Sequence, residues 1–160
     1  MGISAKNPLE NDDKNDEDSS EYDDVLLTEV HHVAIAVFDL DEAIEEYRET
    51  WGVWVDHREV LEVDGVEVAI LKVGGSDVQL ITPTRDDSPL AAFLDERGSG
   101  LHHLAYTVDD CAAALEAARE AGHELVDEEP REGVLDSKVA FIHPRTMFGT
   151  LVLLVEDRPA

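Results

Sequence analysis

The chain has 160 residues, enough for one domain with a proper hydrophobic core, and it carries 38 acidic and only 12 basic residues, a formal net charge of −26 at pH 7. This charge argues against a nucleic-acid partner, which would require basic patches. The sequence has no run of about 18 apolar residues, so it predicts no transmembrane helix and no membrane partner.

The first 24 residues are polar and strongly charged, so we expect residues 1–24 to be a disordered acidic tail and residues 25–160 to form the folded domain. That domain keeps 29 acidic and 10 basic residues, and the whole chain has only four lysines. Such a surface fits a protein that works in concentrated salt, where the Debye length falls to about 3 Å at 1 M and self-repulsion is screened. The N-terminus has no hydrophobic signal-peptide core. We therefore expect a halophilic, cytoplasmic protein.

The first half of the domain has the pattern of a strand, a helix and three more strands. Residues 30–37 are rich in β-branched side chains and predict a strand. Residues 39–52 place apolar side chains at helical spacing and end at a glycine. Asp64-Gly65 and Gly74-Gly75 are hairpin-type turn signals. They separate three predicted strands, at residues 53–63, 65–73 and 77–83.

The second half repeats this order after a linker. The linker, residues 84–100, contains a predicted short helix around Pro89–Asp95. Residues 101–108 predict a strand, and residues 109–122 an amphipathic helix that ends at Gly122. Three more strands are predicted, at residues 123–130, 137–144 and 149–156.

The two halves are an internal repeat. The segment from His32 to Val37 aligns with the segment from His103 to Val108 at an offset of 71 residues. A three-residue insertion then raises the offset to 74, which places Gln79 on Leu153. We therefore predict an α+β fold, in which two tandem βαβββ modules form a curved, open eight-stranded mixed sheet around a central cleft.

A metal site shared by such modules takes one ligand from the first and one from the last strand of each. Those positions are His32 and Gln79 in the first module, and His103 and Leu153 in the second. Isolated strand histidines are usually packing residues, but two at equivalent positions favour metal ligation, and imidazoles with an amide oxygen suit a divalent first-row metal. A buried hydrogen bond is the alternative for Gln79. Because side chains alternate along a strand, His31 and His102 are predicted to point away from the cleft.

Five segments resemble one known family. They read "HHVAIAVFDLDEAIEEY", "VGGSDVQLITP", "RDDSPLAAFLDERGSGLHHLAYTVDD", "LVDEEPREG" and "VAFIHP". Through them the chain is similar to the vicinal oxygen chelate (glyoxalase/bleomycin-resistance) superfamily and, within it, to the methylmalonyl-CoA epimerases. The resemblance covers about residues 28–157, with module one at 28–84, the linker at 85–99 and module two at 100–157.

The resemblance implies a chemistry and a set of residues. It implies a divalent metal, cobalt or a similar ion such as Mn, Ni or Zn, held by His32, Gln79, His103 and the inward position of the last strand. The metal would chelate the substrate and stabilise an enolate while carboxylates move the α-proton of an acyl-CoA. Glu67 lies near the position of the family's base, although a shift of one residue would turn it to solvent. A homodimer is also implied.

The sequence departs from the family at the site itself. Leu153 stands where the resemblance requires a glutamate ligand, and bulky Met147-Phe148 stands in the preceding loop, where it could line or narrow the cleft. Three hypotheses stay open: a metal-dependent epimerase of methylmalonyl-CoA or a related acyl-CoA, a glyoxalase-like lyase or dioxygenase-type protein acting on another oxyacid, and a metal-free binding module without catalysis. The candidate cations for the CoA phosphates are Lys72, Arg85, Arg97, Lys138 and Arg145.

Overall fold

A computed structural model describes residues 25–159 of the chain. The predicted acidic tail, residues 1–24, lies outside the described residues, as does Ala160. None of the helices within residues 25–159 is long and apolar enough to span a membrane.

The first module contains four strands and one helix in the predicted order. They are β1 (Glu29–Ala36), α1 (Leu40–Trp51), β2 (Val55–Leu61), β3 (Val66–Val73) and β4 (Ser76–Pro83). Helix α1 begins after Asp39, whose side chain accepts a hydrogen bond from the Glu42 N–H, and it ends at Gly52 with φ +70°. The two hairpin turns use glycines with positive φ, Gly65 and Gly74, as their sequence signals predicted.

The second module follows the linker helix α2 (Pro89–Arg97), which is capped by the Ser88 side chain. Its elements are β5 (Gly100–Thr107), α3 (Cys111–Glu120), β6 (Arg131–Glu132), β7 (Lys138–Ile142) and β8 (Val152–Glu156).

The predicted strand at residues 123–130 is wrong. In that segment only Leu125 forms an isolated bridge, with Ile142, and the paired strand β6 is displaced to Arg131–Glu132. The reason is local: the Asp127 side chain accepts a hydrogen bond from the Phe141 N–H at 2.8 Å. A carboxylate thus takes the donor that a strand carbonyl would have used. Pro130, which lacks an N–H, stands directly before β6.

All eight strands form one mixed sheet in the order β2-β3-β4-β1-β5-β8-β7-β6, a curled, open half-barrel. The first strand of each module pairs in parallel with the last, and the two first strands, β1 and β5, pair antiparallel at the centre. This arrangement confirms the predicted fold. The antiparallel centre relates the modules by a pseudo-twofold axis, which brings equivalent residues of β1 and β5 side by side.

Strand register confirms the alignment of the repeat. Val68 of β3 pairs with Ile81 of β4, and Val139 of β7 pairs with Val155 of β8. The offset of 71 residues therefore relates β3 to β7, and the offset of 74 residues relates β4 to β8. In the same way Ala34 lies beside Gln79, and Ala105 lies beside Leu153. Gln79 and Leu153 are therefore structurally equivalent.

Alternation along the strands divides the sheet into two faces. One face packs against the helices: α1 covers Ala69, Leu71 and Leu80, and α3 covers Ala140 and Leu154. The intervening residues face the concave side, where α2 packs through Leu90 and Leu94. Helices α1 and α3 thus cover the other face, and α2 forms part of the wall of a cavity on the concave side.

Candidate active site

The concave face encloses a cavity of about 700 Å³. Its wall is largely apolar, built from the alternate residues of β3, β4, β7 and β8 that turn away from the helices, among them Val68, Ile70, Ile81, Phe141 and Val155. All three predicted metal ligands line this cavity, and so does Leu153. The repeat therefore placed these four positions at one site, although the equivalent pairs, His32 with His103 and Gln79 with Leu153, are 71 and 74 residues apart in sequence.

His32 and His103 converge at the centre of the wall. Their Nε2 atoms lie 3.2 Å apart, and their rings meet edge to face with centroids 5.3 Å apart. Both residues are buried, with exposed fractions of 3% and 9%. Because β1 and β5 run antiparallel at the pseudo-twofold axis, equivalent side chains on the two strands meet tip to tip.

Burial keeps these two imidazoles neutral. Loss of solvent lowers the pKa of His32 to about 3, and the neighbouring His31 adds to the effect. Loss of solvent also lowers the pKa of His103 well below its ordinary value, with further contributions from His32, His102 and Arg131. Neutral imidazole is the form that binds a metal ion.

His31 and His102 line the same cavity, so the prediction that they point away is wrong. The register of β1 and β5 shifts at two points: Val30 pairs with Tyr106 and His32 with Ala105, which leaves His31 without a partner residue. The second shift leaves His102 unpaired in the same way on β5. Each is the extra residue of a β-bulge, and a bulge redirects a side chain that strict alternation would send to the other face.

Each bulge histidine bonds to the histidine that follows it. The Nδ1 atoms of His31 and His32 are 2.8 Å apart, and those of His102 and His103 are 2.9 Å apart. The outer nitrogen of His31, Nε2, lies 2.9 Å from Oδ1 of Asp157. In the half of the site that β1 contributes, the contacts thus run from His32 through His31 to the carboxylate of Asp157.

The His102 half of the site has a different environment. Its ring packs edge-on against Phe93, with centroids 4.8 Å apart, and lies 6.3 Å from Phe141. Loss of solvent lowers the pKa of His102 to about 4, and the positive charge of Arg97 contributes. The pseudo-symmetry of the fold therefore does not extend to the surroundings of the two histidine pairs, His31-His32 and His102-His103.

Gln79 and Leu153 occupy the equivalent positions on β4 and β8. Both are buried, and the Gln79 amide forms no side-chain hydrogen bond with any residue in the range 25–159. Two neutral imidazole nitrogens and an amide oxygen fit a divalent first-row metal as three protein ligands. Leu153 supplies no donor atom.

Glu67 is placed outside the cavity. It stands on β3 between residues that face inward, on the face of the sheet that carries α1, and its carboxylate accepts a hydrogen bond from Arg58 Nε at 3.0 Å. Its neighbour Val68 lines the cavity instead. The prediction of Glu67 as the base fails because a one-residue difference in register on a strand exchanges the two faces.

The carboxylates that do line the cavity all have partners. Asp157 binds His31, Asp77 binds Lys72 at 2.8 Å, and Asp64 and Asp127 both bind Arg131. Sequence reasoning missed these acids and Arg131, whose guanidinium also lies over the Phe141 ring. The only signal for them was the turn position of Asp64 and the motif that contains Asp127 and Arg131.

Two of the five cations that the sequence suggested for the CoA phosphates line the cavity. Lys72 and Arg85 line the cavity, whereas Arg97, Lys138 and Arg145 do not.

The bulky loop residues Met147 and Phe148 point elsewhere. Met147 packs against the core beside α3, and Phe148 is 97% exposed. Neither residue lines the cavity, so the expectation that Met147-Phe148 could line or narrow the cleft is wrong.

Comparisons with known proteins agree with this architecture. A family model described as the Glyoxalase/Bleomycin resistance protein/Dioxygenase superfamily matches residues 31–141. The chain is 35% identical over 131 residues to an ethylmalonyl-CoA/methylmalonyl-CoA epimerase of Cereibacter sphaeroides, covering 81% of this chain and 98% of the relative.

Solved structures give the same result. The chain is similar to the crystal structure of methylmalonyl-CoA epimerase from Mycobacterium tuberculosis, with a TM-score of 0.80, 40% identity, and coverage of 85% of this chain and 92% of that one. It is similar also to a Streptomyces coelicolor methylmalonyl-CoA epimerase variant in complex with 2-nitronate-propionyl-CoA. There the TM-score is 0.80 and the identity 38%, over 84% of this chain and 97% of that one.

Proposed function

The chain belongs to the glyoxalase/bleomycin resistance protein/dioxygenase superfamily, and on that premise we propose that it is an isomerase, an epimerase of methylmalonyl-CoA or a related acyl-CoA that uses a divalent metal such as cobalt. One observation carries the proposal: the neutral imidazoles of His32 and His103 converge, with their Nε2 atoms 3.2 Å apart, on the wall of a large cavity. The similarity to epimerases extends over most of the chain.

His32, His103 and Gln79 would hold the metal. When bound, the metal would act as a Lewis acid on the substrate oxygens and favour loss of the α-proton. Leu153 offers no ligand atom, so the remaining positions would be open to water or substrate, as in other catalytic metal sites.

The rest of the wall supports this chemistry by excluding water. Val68, Ile70, Ile81 and Leu153 present apolar surface to the cavity, which lowers the local dielectric and strengthens polar interactions with a bound acyl group. Cationic side chains also reach the cavity, from Lys72, Arg85 and Arg131. Each is already paired with an acid, so an anionic substrate group would compete with Asp77, Asp87 or Asp64 for them.

A second candidate function is an acyl-CoA-binding protein without turnover. Epimerisation needs one group to remove a proton and another to return it on the opposite face. Among the described residues, the inward position paired with Gln79 on β3 carries Ile70, and the equivalent of Gln79 on β8 is Leu153. Every carboxylate on the wall is engaged by a cation or a histidine. This observation favours binding without catalysis.

Solvent exchange separates the two functions. Wild-type protein in D2O with molar KCl is incubated with methylmalonyl-CoA, with and without Co2+, and deuterium at C2 is followed by mass spectrometry. The epimerase proposal expects Co2+-dependent exchange in the wild type and none in His103→Ala. The partly exposed His143 lies outside the cavity, so His143→Ala is the matched control and should exchange normally.

The other outcomes are equally decisive. Calorimetric binding of the CoA ester without exchange would support the binding protein. Metal binding without exchange of this substrate would point to a different reaction of the superfamily.

The homodimer that the family resemblance implies, and the cytoplasmic location expected from the sequence, also belong to this proposal. Light scattering in molar KCl tests the dimer, and fractionation of cells tests the location.

A further inference from the structure

The four cavity histidines form one continuous series of hydrogen-bonding contacts that ends at a carboxylate. From Asp157 the series runs to His31 Nε2 at 2.9 Å, and from His31 Nδ1 to His32 Nδ1 at 2.8 Å. It continues from His32 Nε2 to His103 Nε2 at 3.2 Å, and from His103 Nδ1 to His102 Nδ1 at 2.9 Å. Each of the three inner rings uses both of its nitrogens.

The carboxylate gives the series a direction. A carboxylate only accepts, and a neutral imidazole has one donor and one acceptor nitrogen. With the His31 ring neutral, its Nε2 donates to Asp157, so its Nδ1 must accept. The hydrogen between the two Nδ1 atoms therefore belongs to His32. His32 is left with a bare Nε2, which faces His103 in the cavity.

We infer that His31 and Asp157 are positioning residues for His32: together they hold it as the Nδ1–H tautomer with its Nε2 lone pair directed at the candidate metal position. The functional part of this inference rests on the proposed metal centre, whereas the tautomer rests on the contacts alone. A ligating histidine commonly donates its other N–H to a carboxylate, a carbonyl or water. Here a second histidine, redirected by a β-bulge, is placed between the ligand and the carboxylate.

The other half of the site lacks this constraint. His102 occupies the position equivalent to His31, but its ring is packed against Phe93. In the series as it stands, His103 donates from Nε2 to the bare Nε2 of His32. A metal needs both Nε2 atoms bare, so the hydrogen on His103 would move from Nε2 to Nδ1 and be donated to His102, whose own hydrogen would move from Nδ1 to Nε2. His32 is thus the fixed ligand and His103 the adaptable one.

Nitrogen NMR of the metal-free protein tests the tautomer directly. In 15N-histidine-labelled protein at pH 8 in molar KCl, His32 is expected to carry its hydrogen at Nδ1 in the wild type. In Asp157→Asn a measurable fraction should move to Nε2, because an amide can also donate. Asp136→Asn is the matched control, since Asp136 is 59% exposed and ion-paired with Arg158, against 58% for Asp157. A wild-type His32 protonated at Nε2, or an unchanged tautomer in Asp157→Asn, overturns the inference.

Cobalt affinity measured by calorimetry and absorption tests its consequence. Asp157→Asn and His31→Phe should each weaken Co2+ binding about tenfold or more, with Asp136→Asn unchanged. Equal affinity in Asp157→Asn and the wild type overturns the positioning role and leaves the metal centre standing. Failure of the wild type to bind Co2+ overturns the metal dependence of the proposed function, and the nitrogen shifts alone then decide whether Asp157 and His31 orient His32.

Discussion

Arg131 and Asp64 join the two outer edges of the sheet across the cavity. Nη1 of Arg131 lies 2.7 Å from both carboxylate oxygens of Asp64. Arg131 is in β6, the last strand of the sheet order, and Asp64 is in the turn between β2 and β3 at the other end. The half-barrel is therefore closed at this point by an ion pair, which connects module one to module two.

Breaking this ion pair should destabilise the protein. Both side chains are less than a third exposed, so Asp64→Asn leaves the Arg131 charge partly desolvated and should cost about 1–3 kcal/mol of unfolding free energy. Denaturant unfolding in molar KCl measures it. The matched control is Asp136→Asn, which removes the exposed pair with Arg158 and should cost less than about 1 kcal/mol. Equal losses in the two variants would show that the edge contact has no special role.

The repeat explains why so much of this architecture could be predicted. Strand alternation and the alignment of the two halves, with its one insertion of three residues, suffice to bring His32, His103, Gln79 and Leu153 to one wall, because register is fixed wherever one face of a sheet is buried. The helices and their caps carry local signals, as at Asp39. These features depend on short-range patterns or on comparison of the two halves.

The parts that could not be predicted depend on contacts between distant strands. The bulges at His31 and His102 arise from the pairing of β1 with β5, and nothing within either segment marks an extra residue. Arg131 was missed because its partners, Asp64 and the Phe141 ring, come from other elements. Glu67 was misplaced because a shift of one residue in an alignment is enough to exchange the faces of a strand.

Low salt should unfold the domain. The chain has a net charge of −26, and at molar salt the Debye length of about 3 Å screens the repulsion between its acidic residues. Circular dichroism after dialysis from 2 M to 0.05 M KCl should show loss of strand structure, restored by returning the salt. Full folding with an unchanged thermal midpoint at low ionic strength would contradict the halophilic character expected from the composition.

Acid should destabilise the protein through its cavity histidines. Burial lowers the pKa of His32 to about 3 and that of His102 to about 4, from an ordinary value of 6.5. Below that ordinary value the unfolded chain binds protons at these positions and the folded chain does not, so the unfolding free energy falls as the pH drops. Each such histidine contributes a slope of up to about 1.4 kcal/mol per pH unit.

The measurement compares unfolding free energies at pH 7.5 and pH 5.5 in molar KCl. His102→Asn removes one of the buried titrating rings, so its loss of stability over this interval should be smaller than that of the wild type. His143→Asn, outside the cavity, should lose as much as the wild type does. An identical pH dependence in His102→Asn would mean that this ring is not held neutral by burial.

Restoring an acid at position 153 should strengthen the metal site. Leu153 is buried on the cavity wall at the position equivalent to Gln79, so Leu153→Glu would add a carboxylate oxygen to the donors of His32, His103 and Gln79. We expect Co2+ affinity to rise by about tenfold or more, an extra 1.4 kcal/mol or more of binding free energy. The same substitution should lower the stability of the metal-free protein, because a carboxylate without a partner is costly to bury.

Leu153→Met keeps the volume without adding an oxygen and is the matched control. If Leu153→Glu and Leu153→Met bind Co2+ equally well, the inward position of β8 does not face the metal, and the three-ligand centre proposed for this cavity must be reconsidered.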